Sequence, residues 1–508
     1  MGPKLLTFYR ILLSLVGIFL AFGYHRTFYE DEDRARRWAY TAVLLVCTAF
    51  AFYLYLSLGP RFRRVTPEQI MNPHDFFHYY VGPKYHAELG YFDIYECAVL
   101  ADHETTRTVA PLWRIRDLHT YNYDRASRVL ERAARCKQSF TPARWEAFKH
   151  DVAYISRLMT PNRWNLVLKD KGYNATPVWN AFASLLTNLV PLRNRAGLYT
   201  LLGLDYLWTV IAFVAIAVAF GWRHSLLGLA FWSLNFVSTP GFVRGSLSRL
   251  DWLVCLIVAV CLLRRGRYAG AGALAGLATT LRVFPVLFCA ALGARGVWSL
   301  LRERRLPRRY LRFLVGFAVV VVLLCGATAL TPTARERWGD FGEKITGHDE
   351  QIAGYRVGFK YMLIDPKLQG DRAREMYDSR QGLRWTVIVL VGALVFLAAR
   401  HLPDHHTIGL SFVCVFFLTA PTFYYYQMLV LPFMLFLPDR RRPGLWVGAG
   451  AFFAWCVLCY TLRQMWPLGS TLSHYLSWSL AAMCALLVIA SFVQFRGDDP
   501  PAVAAARS

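Results

Sequence analysis

Long apolar blocks alternate with short polar stretches along almost the whole chain. The blocks fall at 5–24, 41–58, 199–220, 225–240, 250–263, 311–331, 384–400, 407–421, 424–438, 445–462 and 474–494. A helix crosses a bilayer with roughly 20 mainly apolar residues, and tilt or kinks allow about 17 to 25. Lipid offers backbone N–H and C=O groups no partner, so each block must close its hydrogen bonds internally, as a helix. The pattern predicts an all-α polytopic membrane protein. The first block is followed by His25, Arg26 and a charged run rather than by a small-residue cleavage site, which predicts a retained helix.

Positive charge orients the spans, because cytoplasmic loops collect Lys and Arg. Arg34, Arg36 and Arg37 follow the first block, and Arg264, Arg265 and Arg267 follow the fifth. Arg302, Arg304, Arg305, Arg308 and Arg309 precede the block at 311, and Arg440, Arg441 and Arg442 the one at 445. One threading makes all four clusters cytoplasmic. It divides the chain into N-terminal transmembrane helices (1–58), a large extracytoplasmic region (59–198), a transmembrane core (199–331), a second extracytoplasmic loop (332–383), C-terminal transmembrane helices (384–496) and a small polar tail (497–508) expected to be disordered. The segment 268–300 lies between two basic clusters, so it must cross an even number of times, yet it is too short for two full spans and a turn. The expectation is a short or re-entrant hairpin broken at Arg282-Val283-Phe284-Pro285, where proline interrupts the helix ladder. The run Ala269-Gly270-Ala271-Gly272-Ala273 with Gly276 predicts close helix packing.

Composition agrees. Of 508 residues, 56% are hydrophobic and 18% charged, against about 25% charged in an average soluble protein. The net charge of +24 raises nucleic acid as a partner, but the arginines sit in the short clusters that membrane topology already accounts for, so no nucleic acid is expected. Nine of the 11 cysteines lie in or beside apolar blocks and read as small hydrophobes. Cys97 and Cys136 both lie in the large polar region, where an external location would allow a disulfide.

The candidate chemistry is densest just after the second block, in Asn72-Pro73-His74-Asp75-Phe76-Phe77-His78-Tyr79-Tyr80, then Gly82-Pro83-Lys84-Tyr85 and Glu88-Leu89-Gly90-Tyr91. Asp75 there has a low-dielectric side and a wet side, which suits a general base; the competing reading is a cap on the helix that Pro73 starts. His74 and His78 are four apart and can share a helix face, but no third ligand is legible, so no metal is assigned. An anion near the membrane interface would need Arg or Lys, and Arg244, Arg249, Arg282, Arg356 and Lys360 are candidates. Arg282 stands out because a charge at membrane depth is expensive; snorkelling to headgroups is its bland alternative. Pro421-Thr422-Phe423-Tyr424-Tyr425-Tyr426-Gln427 reads first as an interfacial aromatic belt.

The pattern His74-Asp75-Phe76-x-x-Tyr79 with Gly90-Tyr91-x-x-x-Tyr95 resembles the first external loop of glycosyltransferase family 87, within the GT-C superfamily of polyprenyl-phosphate-sugar-dependent membrane enzymes. Two further stretches are similar to that family: Arg244-Gly245-Ser246 through Leu263-Arg264-Arg265-Gly266-Arg267 to Arg282-Val283-Phe284-Pro285, and Trp338-x-x-Phe341-x-x-Lys344-Ile345-x-x-x-His348. The chain departs from the family where Tyr173 to Trp179 keeps one proline of a usual pair, and where Gly245-Ser246 replaces a common Gly-Gln. The resemblance implies a GT-C-type bundle of about 11–13 transmembrane helices with two large extracytoplasmic loops. It implies an inverting displacement in which Asp75 deprotonates the acceptor hydroxyl. Arg244, Arg249, Arg282, Arg356 and Lys360 would hold the donor phosphate, and His74, His78, Tyr79, Lys84, Glu88 and His348 would bind substrate.

The expected activity is transfer of a hexose or pentose, mannose-like in preference, from a polyprenyl-phosphate sugar to a lipid-linked or cell-envelope glycan. The expected partners are the bilayer, that donor and a glycan or glycolipid acceptor, with no tightly bound cofactor; divalent-metal dependence and oligomeric state stay open. The expected location is a bacterial plasma membrane with the site on the extracytoplasmic face. The rival is a secondary transporter or flippase, which also uses broken helices and buried arginines, although no inverted repeat is visible.

Overall fold

The computed structural model describes residues 2–30, 33–56, 70–192, 194–238, 245–330, 334–350, 352, 354–442 and 444–495. Helices dominate, and the strands among the described residues are one short antiparallel pair, Arg114–Arg116 with Tyr123–Arg125. The chain is an all-α polytopic membrane protein. Among the described residues, eight helices are long and apolar enough to cross a membrane: Lys4–Glu30, Arg34–Leu56, Arg195–Phe220, Phe284–Glu303, Arg308–Ala329, Gln381–Ala399, Leu445–Met465 and Ser470–Val493. Val319, Val322 and Leu323 are among the large apolar side chains left uncovered on these helices, as a lipid-facing surface requires.

Other apolar blocks form shorter helices. The blocks at 225–240 and 250–263 form the helices Trp222–Leu234 and Asp251–Arg264, each roughly 20 Å long at 1.5 Å per residue. The blocks at 407–421 and 424–438 break into the short pieces Asp404–Leu410, Phe412–Leu418, Phe423–Leu429 and Val430–Leu435. Hydropathy does not separate a full crossing from a shorter helix buried among others.

The segment 268–300 breaks where proline is expected to break it. Tyr268–Leu281 ends at Arg282, and a 3-10 turn, Phe284–Cys289, leads into Ala290–Glu303. Its first arm packs along Arg308–Ala329 through small residues: a side chain added at Gly272 or Gly276 would strike the backbone of Phe313 or Phe317, and one at Gly316 the backbone of Ala269. The glycines are there for backbone contact. At the hairpin's basic end Asp404 pairs with Arg295 at 2.7 Å and Arg309 at 3.5 Å, fixing the arms to the next helices.

The polar region between the second and third spans folds into a helical layer. Three of its helices begin with the same pair, Thr141-Pro142, Thr160-Pro161 and Thr176-Pro177, and in each the threonine hydroxyl accepts a first-turn backbone N–H. Proline loses nothing at the first helical position, and threonine satisfies a donor the helix cannot. A disulfide joins Cys97 to Cys136, tying Ile94–Glu104 to Ala133–Ser139. The layer packs around Pro73–Lys84, the helix that carries Asp75.

Candidate active site

Asp75 lies in the first turn of Pro73–Lys84. Asn72 is the cap residue, and Asp75 makes no capping bond. Its Oδ2 instead accepts from Nη1 of Arg249 in an ion pair that is almost wholly covered. The capping alternative is therefore set aside. Among the described residues Oδ1 has no hydrogen-bond partner, so one oxygen of the carboxylate is left to take a proton.

Arg249 is delivered by a contorted loop. Gly245, Leu247 and Ser248 all have positive φ, at 59°, 66° and 50°. Gly245 suits that conformation and also passes hard against the backbone of Ile70, where a side chain would not fit. For Leu247 and Ser248 it costs about 1 kcal/mol or more each. What holds the loop is Asp205, in the middle of the span Arg195–Phe220. Its carboxylate accepts the backbone N–H of Ser246 at 3.1 Å, of Arg249 at 2.7 Å and of Leu250 at 3.3 Å. Asp251, the next acid, accepts from Nε1 of Trp179 at 2.8 Å and from the Ser248 hydroxyl at 3.1 Å.

Aromatic faces line the cations. The Arg249 guanidinium carbon is 4.8 Å from the Tyr79 ring centre, 4.5 Å from that of Tyr424 and 5.8 Å from that of Tyr425. Arg282 is 5.2 Å from the same Tyr79 ring and 5.1 Å from Trp179. Tyr79 thus stands between the two arginines, and Tyr424 and Tyr425 lie against Arg249. Arg282 donates from Nη1 to its neighbour's carbonyl, Leu281 O, at 3.1 Å, while its buried Nη2 has no hydrogen-bond partner. A buried donor left open costs about 1–3 kcal/mol or more. It borders a cavity of about 400 Å³. Arg282, Thr176, Phe284, Arg356 and Tyr425 are among its walls, which are mainly apolar. An apolar recess with two arginines suits an amphiphile whose head is an anion.

The sequence model of glycosyltransferase family 87 matches residues 176–432, just over half of the chain. The chain belongs to glycosyltransferase family 87. It is a membrane glycosyltransferase. No curated protein and no solved structure matches it. The family 87 match takes in Arg249, Arg282, Arg356, Lys360 and all of the cavity's walls but Asn174. It begins after Asp75, so the carboxylate joins the family core through the structure, by way of Arg249, and not through the matched stretch.

Other expected residues fall in different places around this family 87 core. Arg356 reaches the cavity wall on a short antiparallel bridge with Thr422. Lys360 packs 4.9 Å from the Tyr377 ring and is not among the cavity's walls. Lys84 is buried in a network of its own, donating to Asp151 at 2.6 Å and to the Tyr80 hydroxyl at 2.7 Å. Glu88 pairs with Arg144 at 2.7 Å. These two pairs hold the far end of the Asp75 helix. Arg244 and the side chain of His348 lie outside the described residues.

His74 and His78 do share a face, and the structure supplies what the sequence lacked: Asp170, whose Oδ2 is 3.0 Å from His74 Nε2. Burial works against charge on both members of this pair, yet their mutual hydrogen bond and attraction win, raising His74 and lowering Asp170. Burial pulls His78 down to about 4. Nearby are two lysines that sequence reasoning did not assign. Lys344 is fully buried and Lys171 half-buried, and neither ammonium has a hydrogen-bond partner. Burial brings each down to about 7. Asp205 had a legible signal, a carboxylate in mid-span. Asp170 and Lys171, in a polar region rich in charge, had none.

Proposed function

We propose that the chain moves a hexose or pentose from a polyprenyl-phosphate sugar to a lipid-linked or cell-envelope glycan, with inversion, on the extracytoplasmic face. The observation that carries this reading is Arg282, which lines a mainly apolar cavity, keeps a buried guanidinium nitrogen without a hydrogen-bond partner, and shares the Tyr79 ring with the Arg249 of the Asp75–Arg249 pair. The cavity takes the first part of the prenyl chain. Arg282, Arg356 and Arg249 receive the phosphate. Asp75 Oδ1 takes the proton of the acceptor hydroxyl, the acceptor oxygen bonds to the anomeric carbon, and the bond from that carbon to the phosphate oxygen breaks. The polyprenyl phosphate leaves with the extra negative charge, which the arginines stabilise where it develops. The Cys97–Cys136 disulfide supports an oxidising, external location for the Asp75 layer. Family membership favours this reading over a transporter or flippase.

The test is incubation of purified protein with labelled polyprenyl-phosphate sugars, mannose-bearing ones first, and membrane lipid extract. A labelled, lipid- or glycan-linked product is expected, and its mass names donor and acceptor together. Asp75→Asn should abolish turnover while donor binding persists. Normal turnover in that variant would remove Asp75 from the mechanism.

A further inference from the structure

His74, His78 and Asp170 each offer a ligand atom, and the three atoms lie within 4.8 Å of one another. We propose that they form a binding site for a divalent transition metal of the zinc type, next to Asp75 but separate from the phosphate-binding arginines. The claim stands whether or not Asp75 is the base.

The first support is the tautomer of His78. Its Nδ1 is 2.9 Å from the carbonyl oxygen of His74. A carbonyl only accepts, so Nδ1 carries the proton and Nε2 presents its lone pair to the cluster. A metal-binding imidazole is held in this way, with its second nitrogen donating to the backbone. The i, i+4 spacing brings the two rings to 5.4 Å between centres on one helix face. Asp170 arrives from the loop after Pro161–Val167 and already touches His74 Nε2 at 3.0 Å.

The second support is access and charge. The Asp170 side chain is 43% exposed and that of His74 19%, so an ion can enter from water and keep water in its remaining positions. The charged side chains acting most on His74 are Asp170 and Asp75, which favour a cation, and Arg163, which opposes one. Two imidazoles and one carboxylate suit zinc and its neighbours in the first transition row; magnesium and calcium prefer oxygen alone. Zinc ligands stand about 2.0–2.2 Å from the ion, so the side chains must close in slightly. The Tyr95 hydroxyl, 2.7 Å from His78 Nε2, must turn aside, and it retains the backbone N–H of Gly172 at 3.0 Å. Once bound, the ion would staple the Asp75 helix to the loop at 168–172.

The experiment uses the full-length protein in detergent, purified on a tag without histidines. It is stripped with a chelator, incubated with zinc chloride, desalted and analysed by mass spectrometry for metal. Asp170→Asn is the main comparison because Asp170 is partly exposed, and its gel-filtration profile checks folding; His78→Gln is the second. Wild type should retain about one zinc more per chain than either variant, and zinc should raise its melting temperature but not theirs. Equal zinc in wild type and a well-folded Asp170→Asn, or an equal rise in melting temperature, overturns the proposal.

Discussion

The Asp75 carboxylate and the Arg249 guanidinium close a buried ion pair between residues 174 positions apart. The pair joins the helical layer around Pro73–Lys84 to the loop that leads into Asp251–Arg264, so it is at once a tie between two parts of the fold and the meeting of a proposed base with a proposed phosphate ligand. Breaking a buried pair from one side strands a charge, at a cost of about 3–5 kcal/mol, whereas replacing both partners is far milder. Arg249→Met should therefore lower the melting temperature in detergent sharply, and adding Asp75→Asn to it should recover most of the loss. Neither protein should turn over. A double variant no more stable than Arg249→Met would show that the two side chains do not depend on each other.

In the proposed reaction Arg282 bears on the donor alone. Its Nη2 has no hydrogen-bond partner and the residue lines the cavity; a charged hydrogen bond is worth about 1.5–3 kcal/mol, or roughly ten- to over a hundredfold in affinity. Arg282→Gln should weaken polyprenyl-phosphate binding to that degree and leave the KM for acceptor near its original value. Trp179, 5.1 Å from the Arg282 guanidinium, gives a fluorescence signal for the titration. Donor binding unchanged in Arg282→Gln would place the phosphate elsewhere.

Asp205 acts at one remove. It touches no substrate in the proposed reaction, but its carboxylate gathers three backbone N–H groups of the loop that carries Arg249. Asp205→Asn keeps one acceptor oxygen and puts an NH2 donor against backbone donors. The loop should relax and Arg249 should lose its register with Asp75. Turnover is expected to fall at least tenfold with a smaller loss of stability, about 1–2 kcal/mol. The kcat should fall more than the donor KM rises, which separates positioning from simple weakening of the site. A variant that melts early yet keeps full kcat would reduce Asp205 to a structural role.

These relationships show where reading the chain succeeds. Asp75, Tyr79, Arg249 and Arg282 are recognisable one by one, because a charge or an aromatic cluster at a membrane boundary needs a reason. The hairpin follows from charge at both ends of a segment too short for two crossings. What pairs with what is not legible: nothing in the sequence says that Arg249 meets Asp75 while Lys84 meets Asp151, since both cations lie among aromatic residues and acids. Asp170 is hidden for the same reason, one acid among many in a folded polar layer. Hydropathy alone does not say how Trp222–Leu234 and Asp251–Arg264 meet the bilayer, because they are apolar through burial among other helices as much as through contact with lipid.

Lys344 tests whether function has been built at the expense of stability. Its ammonium is fully buried, lies 4.9 Å from the Tyr121 ring centre and 5.3 Å from that of Phe92, and has no hydrogen-bond partner. Asp170, Arg116 and Glu343 are the charges that act on it. Burial lowers it from 10.5 to about 7. Between those two values the unfolded chain binds a proton that the folded one does not, so stability should rise with pH across that window. Below about 7 both states are protonated and the destabilisation is present in full. Lys344→Met should stabilise the fold at pH 7 by an amount on the order of a few kcal/mol, raise the melting temperature with it, and flatten its dependence between pH 7 and 9. If Lys344 serves an anionic substrate, that more stable protein should also be the slower one. A Lys344→Met protein with the same pH dependence as wild type would mean that Lys344 is not the group that titrates.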